Sequence, residues 1–186
     1  MDGMPELIVV TGPPGAGKTT VARFLSKLFE LSALVAGDDF FAFVDQGYLE
    51  PWTAEAHHQN EIVVGAAAAA AGRLAAGGYT VVYDGVIGPW FLETFAEASG
   101  LASLHYLILL PPEQECVERV RSRVGHGFGD LGAARHMHRE FATADISNRY
   151  VMASTAPAET VASSIFALVV DGSLVWTIDA AASRPR

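Results

Sequence analysis

Apolar positions fall along this chain in two rhythms. Short runs rich in β-branched and aromatic residues span Glu6–Val10, Ala33–Ala36, Tyr79–Tyr83, Ser103–Leu110 and Arg149–Ala153. Most of them run straight into Gly, Asp or Pro, and they read as strands. Between them lie longer segments that predict helices over Lys18–Phe29, Thr53–Ala76, Pro89–Ala98, from Pro111-Pro112 to about Val124, Leu131–Ala144 and Ala158–Leu168. The second helix contains the run Ala66–Ala71, of high helix propensity, and Gly77-Gly78 stops it. Glu113 and Glu115 open the fourth, where they suit the helix dipole. Phe40–Thr53 is aromatic and aperiodic and reads as irregular chain. Leu174–Ile178 predicts one further short strand.

Strands that alternate with helices require right-handed crossovers, hence a parallel sheet with helices on both faces: an α/β fold. With no repeat and no long linker, residues 1–186 read as a single domain. Ligands of such sheets bind at the carboxyl ends of the strands. Asp38 and Asp39 follow the second strand and Asp84 ends the third. These carboxylates should therefore meet in one cleft.

The stretch after the first strand supplies that cleft with its chemistry. Gly12-Pro13-Pro14-Gly15-Ala16-Gly17-Lys18-Thr19 is G-x-x-x-x-G-K-[ST] between a strand and a helix, the pattern of a phosphate-binding P-loop. Its glycines let the backbone curl so that successive N–H groups face an anion. The helix that follows adds its positive dipole end. Lys18 is expected to reach the β- and γ-phosphates of ATP, and the Thr19 hydroxyl, next to Thr20, to hold Mg²⁺.

Charge narrows the partner. The net charge of −9 argues against a nucleic-acid backbone, which wants a basic groove. Lysines are confined to Lys18 and Lys27, while six arginines fall between Arg119 and Arg149, where an anion is expected. Cys116 is the sole cysteine, so no internal disulfide forms and a reducing compartment fits. No segment reads as a signal peptide or a bilayer span. A cytoplasmic protein, monomer or homodimer, with no membrane partner, is the expectation.

The accessory residues separate the P-loop classes. Neither N-K-x-D nor D-x-x-G, the marks of a GTPase, occurs. A hydrolytic ATPase commonly carries a glutamate after the strand-three aspartate, but Asp84 is followed by Gly85. Transfer to a bound acceptor fits better than hydrolysis, with Asp84 a Mg²⁺ ligand. A nucleotide-sensing module without an acceptor is the competing reading.

With its P-loop, Gly37-Asp38-Asp39, the Asp84 strand and Arg119-x-x-x-Arg123-x-Gly-His before a glycine-rich stretch, the chain resembles the small P-loop kinases of the nucleoside-monophosphate-kinase-like group: shikimate kinase, gluconate kinase and chloramphenicol phosphotransferase. The likeness covers Leu7 to Ile165. It implies a three-layer P-loop NTPase fold, a five-stranded sheet in the order 2-3-1-4-5, ATP and Mg²⁺, a small-molecule hydroxyl acceptor, and a helical lid over about residues 119–145. It also implies Asp39 as the base that takes the acceptor's proton, with Asp38 the second choice or a Mg²⁺ ligand. Arg123 is the expected stabiliser of the moving phosphoryl. Arg119 either joins it or pairs with Glu115; Arg135 and Arg139 repeat the spacing and are candidates to complete the lid. The acceptor region lacks the basic residues of gluconate kinases, so a neutral, partly aromatic acceptor fits Phe40–Trp52. Contacts from His57, His58, Trp52 and Trp90, and an adenine-side loop at Ser154 and Thr155, are secondary candidates. Zinc at His126, His136 and His138 is rejected for want of cysteines.

Overall fold

In the computed structural model, which describes residues 6–122 and 129–178, five parallel strands form the middle layer. These are β1 (Leu7–Thr11), β2 (Ser32–Ala36), β3 (Thr80–Asp84), β4 (Ser103–Leu109) and β5 (Val151–Met152). They lie side by side as β2-β3-β1-β4-β5, the order implied above. A sixth strand, β6 (Val175–Thr177), runs antiparallel along the first half of β4, from Ser103↔Thr177 to His105↔Val175. β5 takes the second half of the same flank, at Ile108 and Leu109.

The helices are α1 (Lys18–Ser26), α2 (Asp38–Phe41), α3 (His57–Ala76), α4 (Pro89–Ser99), α5 (Glu113–Ser122), α6 (Leu131–Thr143) and α7 (Ala158–Val170). Alternate strand residues serve opposite faces. Leu7, Val9, Val81, Tyr83, Leu104, Tyr106 and Ile108 pack under α3, α4 and Phe141 of α6. Ile8, Val10, Val82, Leu107 and Leu109 pack under α1 and α7. Both faces are thus covered, which is why the strands are almost unbroken in their apolar character.

The alanine run has a packing reason as well as a propensity. Ala67, Ala68, Ala71 and Ala75 are buried, and a Cβ on Gly72 would lie 1.9 Å from the backbone oxygen of Ser99 in α4. Small side chains let two helix backbones approach to contact.

Several boundaries differ from the sequence reading. α1 ends at Ser26 rather than Phe29, because Lys27 and Leu28 bond three residues back, to Phe24 and Leu25, and tighten the last turn. The long helix starts at His57, after a 3₁₀ turn over Ala54–Ala56. Strand five is two residues long, because Asn148–Tyr150 form another 3₁₀ turn. There the Tyr150 hydroxyl donates to Val175 O at 2.9 Å and so holds the β6 segment. The chain read as irregular from Phe40 begins with the helical turn α2. Among the described residues no helix is long and apolar enough to cross a membrane.

Candidate functional site

β1 delivers the P-loop to the carboxyl edge of the sheet, where two glycines are required by their surroundings. Gly12 has φ 141° and a Cβ there would fall 2.1 Å from Leu109 O; Gly15 has φ 82° and a Cβ would fall 2.1 Å from Cys116 O. The loop is therefore pressed onto the ends of β4 and α5, in a conformation only glycine adopts without strain. Ala16 N donates to Pro13 O at 3.1 Å and closes the curl. Helix α1 then starts at Lys18 with no side-chain cap, so its first N–H groups are available to an anion. Lys18 is buried, and its Nζ donates to Pro13 O at 3.2 Å.

Two residues missed in the sequence reading pin the neighbouring loop. The fully buried Thr11 accepts a hydrogen bond from Ile87 N at 2.8 Å, and Tyr106 donates to Ile87 O at 2.7 Å. Both hold the turn after β3, which carries Asp84. A buried hydroxyl at a strand end was the signal available for Thr11, and a phenol inside an apolar strand for Tyr106.

Asp84 is buried, and its Oδ1 has no hydrogen-bond partner. Burial pushes its carboxyl pKa up; a hydrogen bond from Thr19 and the charges of Lys18 and Arg23 oppose that, while Asp38 adds to it. A carboxylate so placed is short of positive charge. Its oxygens and the Thr19 hydroxyl are hard donors, few in number, and leave other positions to phosphate and water, which fits Mg²⁺. Among the described residues no three His, Cys, Asp or Glu side chains gather as a metal site of their own.

From Pro14, Lys18 and Thr19 a cleft of about 1250 Å³ extends past Asp38 and Tyr83. Asp38 lines it and Asp39 does not. The helical turn α2 is the reason: successive side chains on a helix diverge by about 100°. Tyr83 sets the position of that turn, because a Cβ on Gly37 would lie 2.1 Å from the Tyr83 hydroxyl. The Tyr83 ring meets Phe95 edge-on at 4.7 Å and is almost fully buried. Burial, with the charges of Asp38 and Asp84, pushes its pKa up, so the phenol keeps its proton beside two carboxylates.

The far wall is aromatic. Phe41, Tyr48 and Trp52 come from the chain after β2, His57 and Asn60 from α3, and Trp90 and Phe91 from α4. His57 stacks on Phe91 at 5.5 Å and pairs with Glu61 at 3.4 Å. The segment over 38–55 contains no buried residue. It is tied to α3 by Gln59, which bonds both N and O of Leu49 at 2.8 and 2.7 Å, and by Asn60 Nδ2, which donates to Pro51 O at 2.7 Å. Ala133, His136, Met137 and Glu140 of α6 complete the cleft. Their spacing of three, one and three marks one helix face, a pattern present in the sequence but not used.

Arg119 lies against the P-loop, with Nη1 donating to Gly15 O at 3.4 Å while Nη2 pairs with Glu115 at 2.9 Å. The pairing with Glu115 raised for it is present, and the second contact is with the P-loop backbone. Arg123 and His126 lie outside the described residues. Arg121 pairs with Glu118 at 3.5 Å, and Arg135 with Glu113 at 3.8 Å, which braces α6 on α5. Arg135, Arg139, His58, Thr20, Ser154 and Thr155 are not among the residues that line the cleft. His138 is structural: its Nε2 lies 2.8 Å from Pro111 O. A smaller hollow of about 340 Å³ beside Glu6 and His105 lies at the opposite end of the strands.

Compared by family, residues 8–127 match the family described as an AAA domain. No curated protein matches by sequence. Among solved structures the chain is similar to the tunicamycin resistance protein of Deinococcus radiodurans (18% identity, TM-score 0.66, covering 88% of this chain and 95% of that one). A gluconokinase from Sinorhizobium meliloti 1021 gives 19% identity and TM-score 0.65, over 91% and 94%. Shikimate kinase from Acinetobacter baumannii, in complex with shikimate, gives 19% and 0.55, over 92% and 96%. At these identities the likeness establishes the fold.

Proposed function

We propose, from the premise that this chain belongs to the AAA-domain family, that it is an ATP- and Mg²⁺-dependent phosphotransferase whose acceptor is a small-molecule hydroxyl. The observation that carries the reading is one continuous cleft with a phosphate seat at one end, a carboxylate beside it, and an aromatic chamber beyond.

Phosphoryl transfer asks for positioning and charge stabilisation rather than covalent chemistry by the protein. The P-loop amides and Lys18 bind and orient the triphosphate. Thr19 and Asp84 would hold Mg²⁺, which supplies charge neutralisation to the phosphates when bound. Asp38 accepts the acceptor's hydroxyl proton as the new O–P bond forms and the bond from γ-phosphorus to the ADP oxygen breaks. The string Gly37-Asp38-Asp39 offers two candidates, and the cleft position of Asp38 supports it over Asp39 as base. Arg119, held on the back of the P-loop at Gly15, keeps the loop in shape. The aromatic wall shields the transfer from water, and no carboxylate follows Asp84 to activate water.

Three variants test this. Lys18→Ala is expected to lose ATP binding in calorimetry. Asp38→Asn should bind ATP normally yet release no ADP in an acceptor screen, whereas Asp39→Asn should stay active. Full activity in Asp38→Asn removes the base assignment, and tight ATP binding with no acceptor-stimulated ADP release in a broad screen favours a sensor instead.

A further inference from the structure

The acceptor side of the cleft has a one-sided polar chemistry, from which we infer that the acceptor is a ring compound that carries a cationic amine near the hydroxyl it presents. This rests on the phosphotransferase reading above and narrows its substrate class.

Charge gives the first reason. Glu50 and Glu140 line the same chamber as Asp38. Glu140 is held 3.4 Å from His136 Nε2, whereas the carboxylate of Glu50 meets no cation among the described residues. Among the described residues, Lys18 is the sole Lys or Arg on the cleft wall, and it stands at the phosphate end. An anionic acceptor would bring like charge toward carboxylates with no lysine or arginine among the described lining residues beyond Lys18 to receive it.

Aromatic surface gives the second. Trp52, Trp90 and Tyr48 line the chamber. Aromatic rings take both a planar body and an ammonium group, through the ring quadrupole.

The test uses three probes of nearly equal size: phenylethanolamine, a cation; styrene glycol, neutral; and mandelate, an anion. Each is titrated into the full chain saturated with Mg²⁺ and a non-hydrolysable ATP analogue, with the fluorescence of Trp52 and Trp90 as readout. Phenylethanolamine is expected to bind tightest and mandelate weakest, with successive steps of roughly five-fold, the range of one exposed charge pair. Glu50→Lys, at an exposed position, should exchange the order of the two charged probes, and Glu50→Gln should narrow the gap. Mandelate binding as tightly as phenylethanolamine, an unchanged order in Glu50→Lys, or flat titrations with all three overturn the inference. None of these outcomes involves transfer. Failure of the phosphotransferase reading shows separately, as ADP release that no hydroxyl acceptor stimulates.

Discussion

Replacing Gly72 with alanine should destabilise the protein, although alanine is the better helix former. In the interior of a helix the exchange gains about 1 kcal/mol from propensity alone. Here the added Cβ would sit 1.9 Å from Ser99 O and 2.7 Å from Ser99 C, both backbone atoms of α4. Carbon and oxygen approach to about 3.3 Å at their closest favourable contact, so the two helices must part by roughly 1.4 Å. Neither side has a flexible side chain that could give way. Overpacking of this kind costs about 1–3 kcal/mol, and occasionally more. The net expectation is a loss of up to about 2 kcal/mol, or a fall in Tm of up to roughly 8 °C for a chain of this size. Gly65 is the internal control. It lies on the same helix, and its Cβ would meet only Ala98 Cβ, at 3.9 Å. Gly65→Ala should therefore stabilise by up to about 1 kcal/mol. Urea unfolding followed by circular dichroism, with equal slopes in all three proteins, reads both. If the two alanines shift stability in the same direction, backbone contact between α3 and α4 is not what fixes Gly72.

Two other outcomes follow from the buried groups. The Asp84 pKa is raised in the folded chain, so its contribution to stability is fully present below the unfolded carboxylate range and is lost as pH rises through the folded value. Asp84→Asn should thus gain on the wild type as pH climbs from about 4 and hold that advantage at neutrality, while losing the extra thermal shift that Mg²⁺ gives with ATP; a pH-independent difference would refute the assignment. Burial pushes the Cys116 thiol up to about 11, and since the thiolate is the reactive form, iodoacetamide at pH 8 should label Cys116 in the unfolded chain only. Rapid labelling of native protein, read by intact mass, contradicts that.

How much of this was legible in the sequence depended on whether the information was contiguous. The P-loop is one string whose chemistry is local, and the alternation of runs was enough for the α/β layers. Asp84 could be found because it ends a strand. Asp39 was preferred to Asp38 on resemblance alone; which of the two lines the cleft depends on whether the chain after Gly37 coils, and α2 lies in a stretch with no periodic pattern. The contribution of α6 was missed for a different reason. Its conspicuous charges, Arg135 and Arg139, stand off the cleft, and the face that enters it holds Met137 and Glu140. Strand five was overlong because Arg149 and Tyr150 look extended in sequence, yet Tyr150 turns to reach Val175.

The stretch over 38–55 walls the far part of the cleft and holds no buried residue, touching the core through Phe40, whereas Gly12, Gly15 and Lys18 are buried. Changes in the two regions therefore have unequal consequences. On the proposed reading, alterations around the P-loop threaten folding and chemistry together, but beyond Asp38 and Phe40 the aromatic stretch is free to drift, lengthen or be exchanged at little thermodynamic risk. A scaffold so divided would keep its phosphate donor constant and leave its choice of acceptor open to adaptation.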